Sequence, residues 1–180
     1  NIMKFGNERM PTELLTASPE AIIHDFFRDH FNYFDVLEQT AEALRQEEPS
    51  QPYEMQSTLQ QRLFTRHGII VETQPVETMG DSLRVFDAEA GNIKLSEALD
   101  YQNRTFQLAH ILCFVESGNI LNDITSDSNF ESQRAIARCH VELANYFAAA
   151  VVMPYSAFHA LAEQSTYGMD RMAAASAGWF

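Results

Sequence analysis

The side chains that could hold a metal ion or move a proton converge on two apolar stretches. One reads Arg104-Thr-Phe-Gln-Leu-Ala-His110-Ile-Leu-Cys113-Phe114 and the other Cys139-His140-Val-Glu142. His110, Cys113, Cys139 and His140 make a Cys2His2 set in composition, the kind that closes around structural zinc. The spacing gives this weak support, because Cys139 and His140 are adjacent and point about 100° apart on a helix. The competing reading is two small buried hydrophobes and a hydrogen-bonded core histidine, with His110 beside Phe106, Cys113, Phe114 and Ser117 at helical spacing. That reading is the expectation, and with it no metal.

The elements that carry these residues belong to an acidic, well-filled domain. The 180 residues are 46% hydrophobic with 13 Phe, enough for one core with room for an appended subdomain. The net charge of −13, from 25 acidic against 12 basic residues, argues against gripping a phosphate backbone, which needs clustered Lys and Arg. No apolar run approaches the roughly 18 residues that suggest a membrane span, so no membrane partner is expected. The start, Asn1-Ile-Met-Lys-Phe, has neither an initiator Met nor a signal-peptide apolar region, so a fragment of a longer protein is expected. Two cysteines make no disulfide framework and suit a reducing cytoplasm. No internal repeat or low-complexity tract is present.

Residues 1–17 carry little pattern and read as a linker. Ser18-Pro19-Glu20 is a helix start, with an N-cap, a proline and an acid in the first turn. Ile22, Ile23, Phe26, Phe27 and His30 follow at helical spacing. A second helix is expected over about Tyr33–Arg45, striped by Phe34, Leu37, Ala41 and Leu44. A third covers about Tyr53–Arg66 with Met55, Leu59, Leu63 and Phe64 inward, stopping at Gly68. The pattern then turns β-branched and short: Ile69–Thr73, Leu83–Phe86 and Ile93–Leu95 read as a small, largely antiparallel sheet. Helices follow over about Leu99–Ser117, closed by Gly118, over about Ser128–Val152, and over about Tyr155–Gln164, with Gly168–Phe180 helical again. The class is α+β with helix dominant.

This order of elements, with Arg104-x-Phe-Gln-Leu-Ala-His110 and Glu142-Leu-Ala-Asn-Tyr-Phe-Ala-Ala-Ala-Val-Val-Met-Pro154, resembles the ImmA/IrrE-type metallopeptidase domain. There, similar wording ends in His-Glu-x-x-His, two imidazoles one turn apart with a Glu as general base. His110 matches the first His, but Ile111 stands where the Glu would be and Phe114 where the second His would be. Glu142, or Val141, falls near the family's acidic ligand. More narrowly, Asp25-Phe-Phe-Arg-Asp-His-Phe-Asn-Tyr33-Phe-Asp-Val-Leu, Arg104-x-Phe-Gln-Leu-Ala109 and Ala144-Asn-Tyr-Phe-Ala-Ala resemble the middle domain of short-chain fatty-acyl regulators, transcription factors of the XRE class. The resemblance covers about residues 20–165. It implies a pseudo-peptidase domain at 18–165 that senses an acyl-CoA in the control of propionate or acetate metabolism. A helix-turn-helix would precede the 1–17 linker, and a cysteine-bearing C-terminal region would begin at 166–180. Some members carry an iron–sulfur cluster in that last region. Cys113 and Cys139 alone cannot supply one, so no cofactor is expected in this chain.

If the resemblance holds, replacing a metal cluster by Ile111, Cys113 and Phe114 turns a hydrolytic cleft into an apolar one suited to a short acyl chain. The coenzyme A phosphates would need arginines, and Arg28, Arg62, Arg66, Arg84 and Arg104 are candidates. For most of them the alternative is a solvated arginine paired with an acid; one or two of the five are expected to be contacts. Tyr33, Tyr101 and Tyr146 could cap a thioester or stack on adenine, or simply be half-buried with a satisfied hydroxyl. Helix faces suggest that Phe106, His110, Phe114, Tyr146 and Phe147 line one interior region. The expected ligand-binding set is Tyr33, Arg84, Arg104, Phe106, His110, Phe114, Tyr146 and Phe147, with no catalytic residue. The leading expectation is an acyl-CoA-sensing domain of a dimeric regulator that meets DNA through a separate domain. The alternatives are a structural dimerisation module and a zinc peptidase with an atypical site.

Overall fold

In α1 (Pro19–Asp29), the Ser18 hydroxyl accepts from the Ala21 amide at 3.2 Å, satisfying one of the free donors at the helix start. The computed structural model describes residues 18–128, 130 and 132–153. The expected linker over 1–17 and the stretches after Met153 lie outside these. Phe31 and Asn32 follow α1 with φ of 55° and 53°, two successive left-handed residues that turn the chain sharply into the next helix. In α2 (Asp35–Glu47), the stripe of Leu37, Ala41 and Leu44 is buried as its spacing predicts. In α3 (Met55–His67), Met55, Leu59 and Leu63 are buried, but Phe64 is 60% exposed and Arg62 takes an inward position instead. Gly68, at φ 66°, closes that helix in the left-handed conformation a side chain would resist.

The sheet has three strands, β1 (Ile70–Gln74), β2 (Arg84–Asp87) and β3 (Asn92–Ser96), in the order β1-β3-β2. β2 and β3 form an antiparallel pair with Phe86 opposite Ile93; β1 pairs with β3 in parallel, Val71 opposite Ile93. The sheet is therefore mixed. Ile93 and Leu95 are both fully buried, so β3 takes the centre. A short helix, α4 (Val76–Met79), lies between β1 and β2 on the way to the far edge. On β2, Arg84 and Phe86 are half-buried while Val85 is exposed, so Arg84 sits on the inward face of an edge strand.

The core is closed by α5 (Tyr101–Ser126) and α6 (Gln133–Val152), each begun by a side-chain cap: Asp100 Oδ1 accepts from Asn103 N, and Ser132 Oγ from Ala135 N. α5 does not stop at Gly118. Its backbone leaves helical geometry at Ser117 (φ −124°, ψ 19°) and resumes, because Leu121 and Thr125 continue a buried stripe beyond the break. α6 starts at Gln133 rather than Ser128, since the cap is Ser132. Leu108, Leu112, Leu143, Ala144 and Phe147 fill the space around these helices. Each large side chain there contributes on the order of 1.5–3 kcal/mol by leaving water. Among the described residues helix dominates one three-stranded sheet, as expected, although the sheet is mixed rather than largely antiparallel.

Candidate functional site

His110 projects from α5 and is 4% exposed. Its Nδ1 lies 2.7 Å from Arg84 Nη1, across from β2. A guanidinium only donates, so Nδ1 is the acceptor and the ring proton belongs on Nε2. Burial and the Arg84 charge push the His110 pKa down to about 4, against opposing effects of a backbone hydrogen bond at Val141 and the charge of Glu142. His110 is thus neutral at neutral pH. The Phe114 ring stands edge-on to the imidazole at 5.3 Å between centroids, and Phe106 lies one helical turn earlier. Burial lowers the Arg84 pKa, and among the described residues its one hydrogen bond is to His110.

Residues 64–177 match the model of the IrrE N-terminal-like domain. The chain belongs to that family. Two HTH-type transcriptional regulators of Mycobacterium tuberculosis are similar to it. RamB is 29% identical over 157 residues, covering 87% of this chain and 33% of RamB. PrpR is 30% identical over 162 residues, covering 88% and 33%. The propionyl-CoA carboxylase regulator of Cereibacter sphaeroides is 24% identical over 159 residues, again covering 33% of the relative. The chain thus spans about a third of the length of the curated relatives it matches. A solved structure described as a Mycobacterium tuberculosis transcriptional regulator aligns with a TM-score of 0.78 at 28% identity, over 86% of this chain and 46% of that one.

The IrrE-like scaffold implies zinc, and the residues here do not fit it. Ile111 is buried and Phe114 is 38% exposed; neither can ligate. The Cys113 and Cys139 thiols are buried and both pushed up to about 12, by desolvation and, for Cys139, also by the charge of Glu142. His140 turns instead to Thr125 Oγ1 at 2.9 Å. Among the described residues, no group of three or more His, Cys, Asp and Glu side chains could hold a metal ion.

The other candidate residues of the IrrE-like domain scatter. Phe147 packs beside Leu112, Glu116 and Ser117, a different face of α5 from His110 and Phe114. Tyr146 faces α2, donating to Glu38 Oε1 at 2.7 Å and accepting from the Phe34 amide at 3.4 Å. The single aromatic region suggested by helix faces is therefore not formed. Tyr33 is half-exposed near Asp35. Tyr101 ties α5 to the α3 approach, donating to the Pro52 carbonyl at 3.0 Å. Arg104 donates to the Glu97 carbonyl at 3.1 Å, and its buried Nε has no partner among the described residues. Arg28 pairs with Asp25, and Arg66 with Glu47 and Glu48.

Arg62 is no phosphate contact. It is 6% exposed and already held by Glu116, at 2.8 to 3.1 Å through Nε and Nη2, and by Glu47 and Glu48 through Nη1. Sequence reasoning had no signal for this clamp, because its partners lie 14 to 54 positions away. Several concavities flank the core among the described residues. A groove of about 460 Å³ runs past Tyr53, Met55, Tyr101 and Val151, and a cleft of about 280 Å³ between α1 and α6 is lined by Ile23, Phe27, Asn32 and Glu142.

Proposed function

We propose that this IrrE-like domain is the ligand-sensing part of a transcription regulator, non-catalytic itself, and that its ligand is a short-chain acyl-CoA. The observation that carries the reading is a peptidase helix without its chemistry in a chain whose relatives are regulators. Ile111 and Phe114 replace the general base and second ligand, and one of the regulators is named for propionyl-CoA carboxylase. The exchange leaves the Phe114 ring against His110, which in turn meets the Arg84 guanidinium, an apolar group and a cation together, as a short acyl group with a polar end requires. The regulator would act in the cytoplasm as a homodimer and reach DNA through segments other than this domain.

A thermal-shift panel tests the reading. Coenzyme A and acetyl-, propionyl- and butyryl-CoA are added to the purified chain, with zinc and a chelator as controls. The expected result is saturable stabilisation graded by acyl length, reaching about 2.7 kcal/mol at a hundredfold excess over Kd, and no change with chelator. A flat panel at millimolar acyl-CoA refutes it.

A further inference from the structure

Arg28, Arg45, Arg62, Arg66 and Arg138 each have a carboxylate within ion-pair distance. Lys94 and Arg134 are exposed to solvent. Arg104 is half-buried and donates to the Glu97 carbonyl; Arg84, on the sheet edge, meets a side-chain nitrogen instead. It too is half-buried, in a chain with a net charge of −13, yet among the described residues the group it bonds is an imidazole nitrogen. A desolvated cation without a counter-charge is costly. A guanidinium also carries five N–H donors in a fixed fork, and one of them is used here.

We propose that the Arg84–His110 pair is a receptor for a carboxylate, and that the sensed acyl group therefore carries one at its far end, as in a dicarboxylic acyl thioester. This rests on the acyl-CoA reading above. His110 acts as the positioning residue: its Nδ1 takes one guanidinium N–H and so fixes the plane in which the remaining donors point. Phe106 and Phe114, on the same face of α5, flank the apolar part of the chain. A carboxylate fits better than a phosphate. The site offers one positive charge, because His110 is neutral, and Glu142 acts on the same imidazole with a negative charge that opposes a dianion. Arg84 retains partial exposure, so the group can arrive from solvent.

Calorimetric titration of the purified chain with butyryl-CoA and succinyl-CoA isolates the carboxylate, since the two have equal carbon number and identical phosphates. Free succinate against neutral succinamide separates a free acid from a thioester. The expected result is that succinyl-CoA binds about tenfold tighter or more. R84M should bring that ratio to about one, with an unchanged far-ultraviolet circular dichroism spectrum reporting that the variant is folded. R84K, which keeps the charge and loses the fork, should fall between. Equal affinities in the wild type, or a preference that survives R84M and R84K, overturns the receptor. If butyryl-CoA binds without a carboxylate preference, the receptor fails and the acyl-CoA reading stands. If free succinate binds through Arg84 and no thioester binds, the receptor stands and the acyl-CoA reading fails. If neither class binds, both fail.

Discussion

Two arginines reach α5 from neighbouring elements, Arg62 from α3 and Arg84 from β2. Arg62 meets a carboxylate fork at Glu116 and two more carboxylates from the end of α2 and the turn after it. Its proton is held above the ordinary arginine range, the Glu116 hydrogen bond leading and outweighing burial. Arg84 meets a neutral ring, and burial lowers its affinity for the proton. The same side chain thus serves opposite purposes. At Arg62 the protein supplies every counter-charge itself, and the group fastens three helices. At Arg84 the described residues supply no carboxylate within ion-pair distance.

The largest expected effect breaks the first arm of the comparison. R62M leaves Glu116, about a fifth exposed, without its main partner, and should cost about 3 kcal/mol in urea unfolding. Burial works to raise the Glu116 carboxyl, but hydrogen bonds and charge from Arg62 and His67 hold it below its ordinary value. A depressed carboxylate stabilises above its unfolded pKa and loses that contribution as pH falls through the folded one, so R62M should also flatten the acid limb of stability.

The second effect tests the neutral ring. His110 is held at about 4 against an ordinary 6.5. As pH falls through that window the unfolded chain takes a proton and the folded one does not, so stability is full above 6.5 and declines toward 4. H110Q should remove most of that slope, worth up to about 3 kcal/mol. His140, lowered chiefly by burial, leaves a residual slope of the same sign.

The smallest effect sharpens the contrast. R84M should change stability by no more than about 1 kcal/mol, because among the described residues the cation it removes has no ion-pair partner to strand. It should also raise the His110 pKa, read from the imidazole NMR titration, because a lowering charge is gone. A loss as large as that of R62M would show that Arg84 is a fastener after all.

Much of the scaffold was legible in the residues. Ser18 with Pro19, the stripe of Leu37, Ala41 and Leu44, and Gly68 each act locally, within one or two turns, and each stands where its chemistry puts it. The misses share a cause. Phe64 yielded the interior to Arg62 because of carboxylates far away in sequence. Gly118 failed to end α5 because burial of Leu121 and Thr125 outweighed a local stop signal. The parallel pairing of β1 with β3 joins strands separated by α4 and β2 in the chain, so no local turn announces it. Within the site, Arg84 and His110 were each visible as candidates. Their meeting was not, since 26 positions and a sheet edge separate them.

The guanidinium beside His110 is part of the polypeptide. An ion at such a place is borrowed from the cell, lost to competitors and restored at a rate the cell controls. Arg84 arrives with translation, in fixed stoichiometry, and stays. The charge at this position is therefore independent of metal supply, and a cell starved of divalent ions or flooded with them presents the same site to whatever it receives.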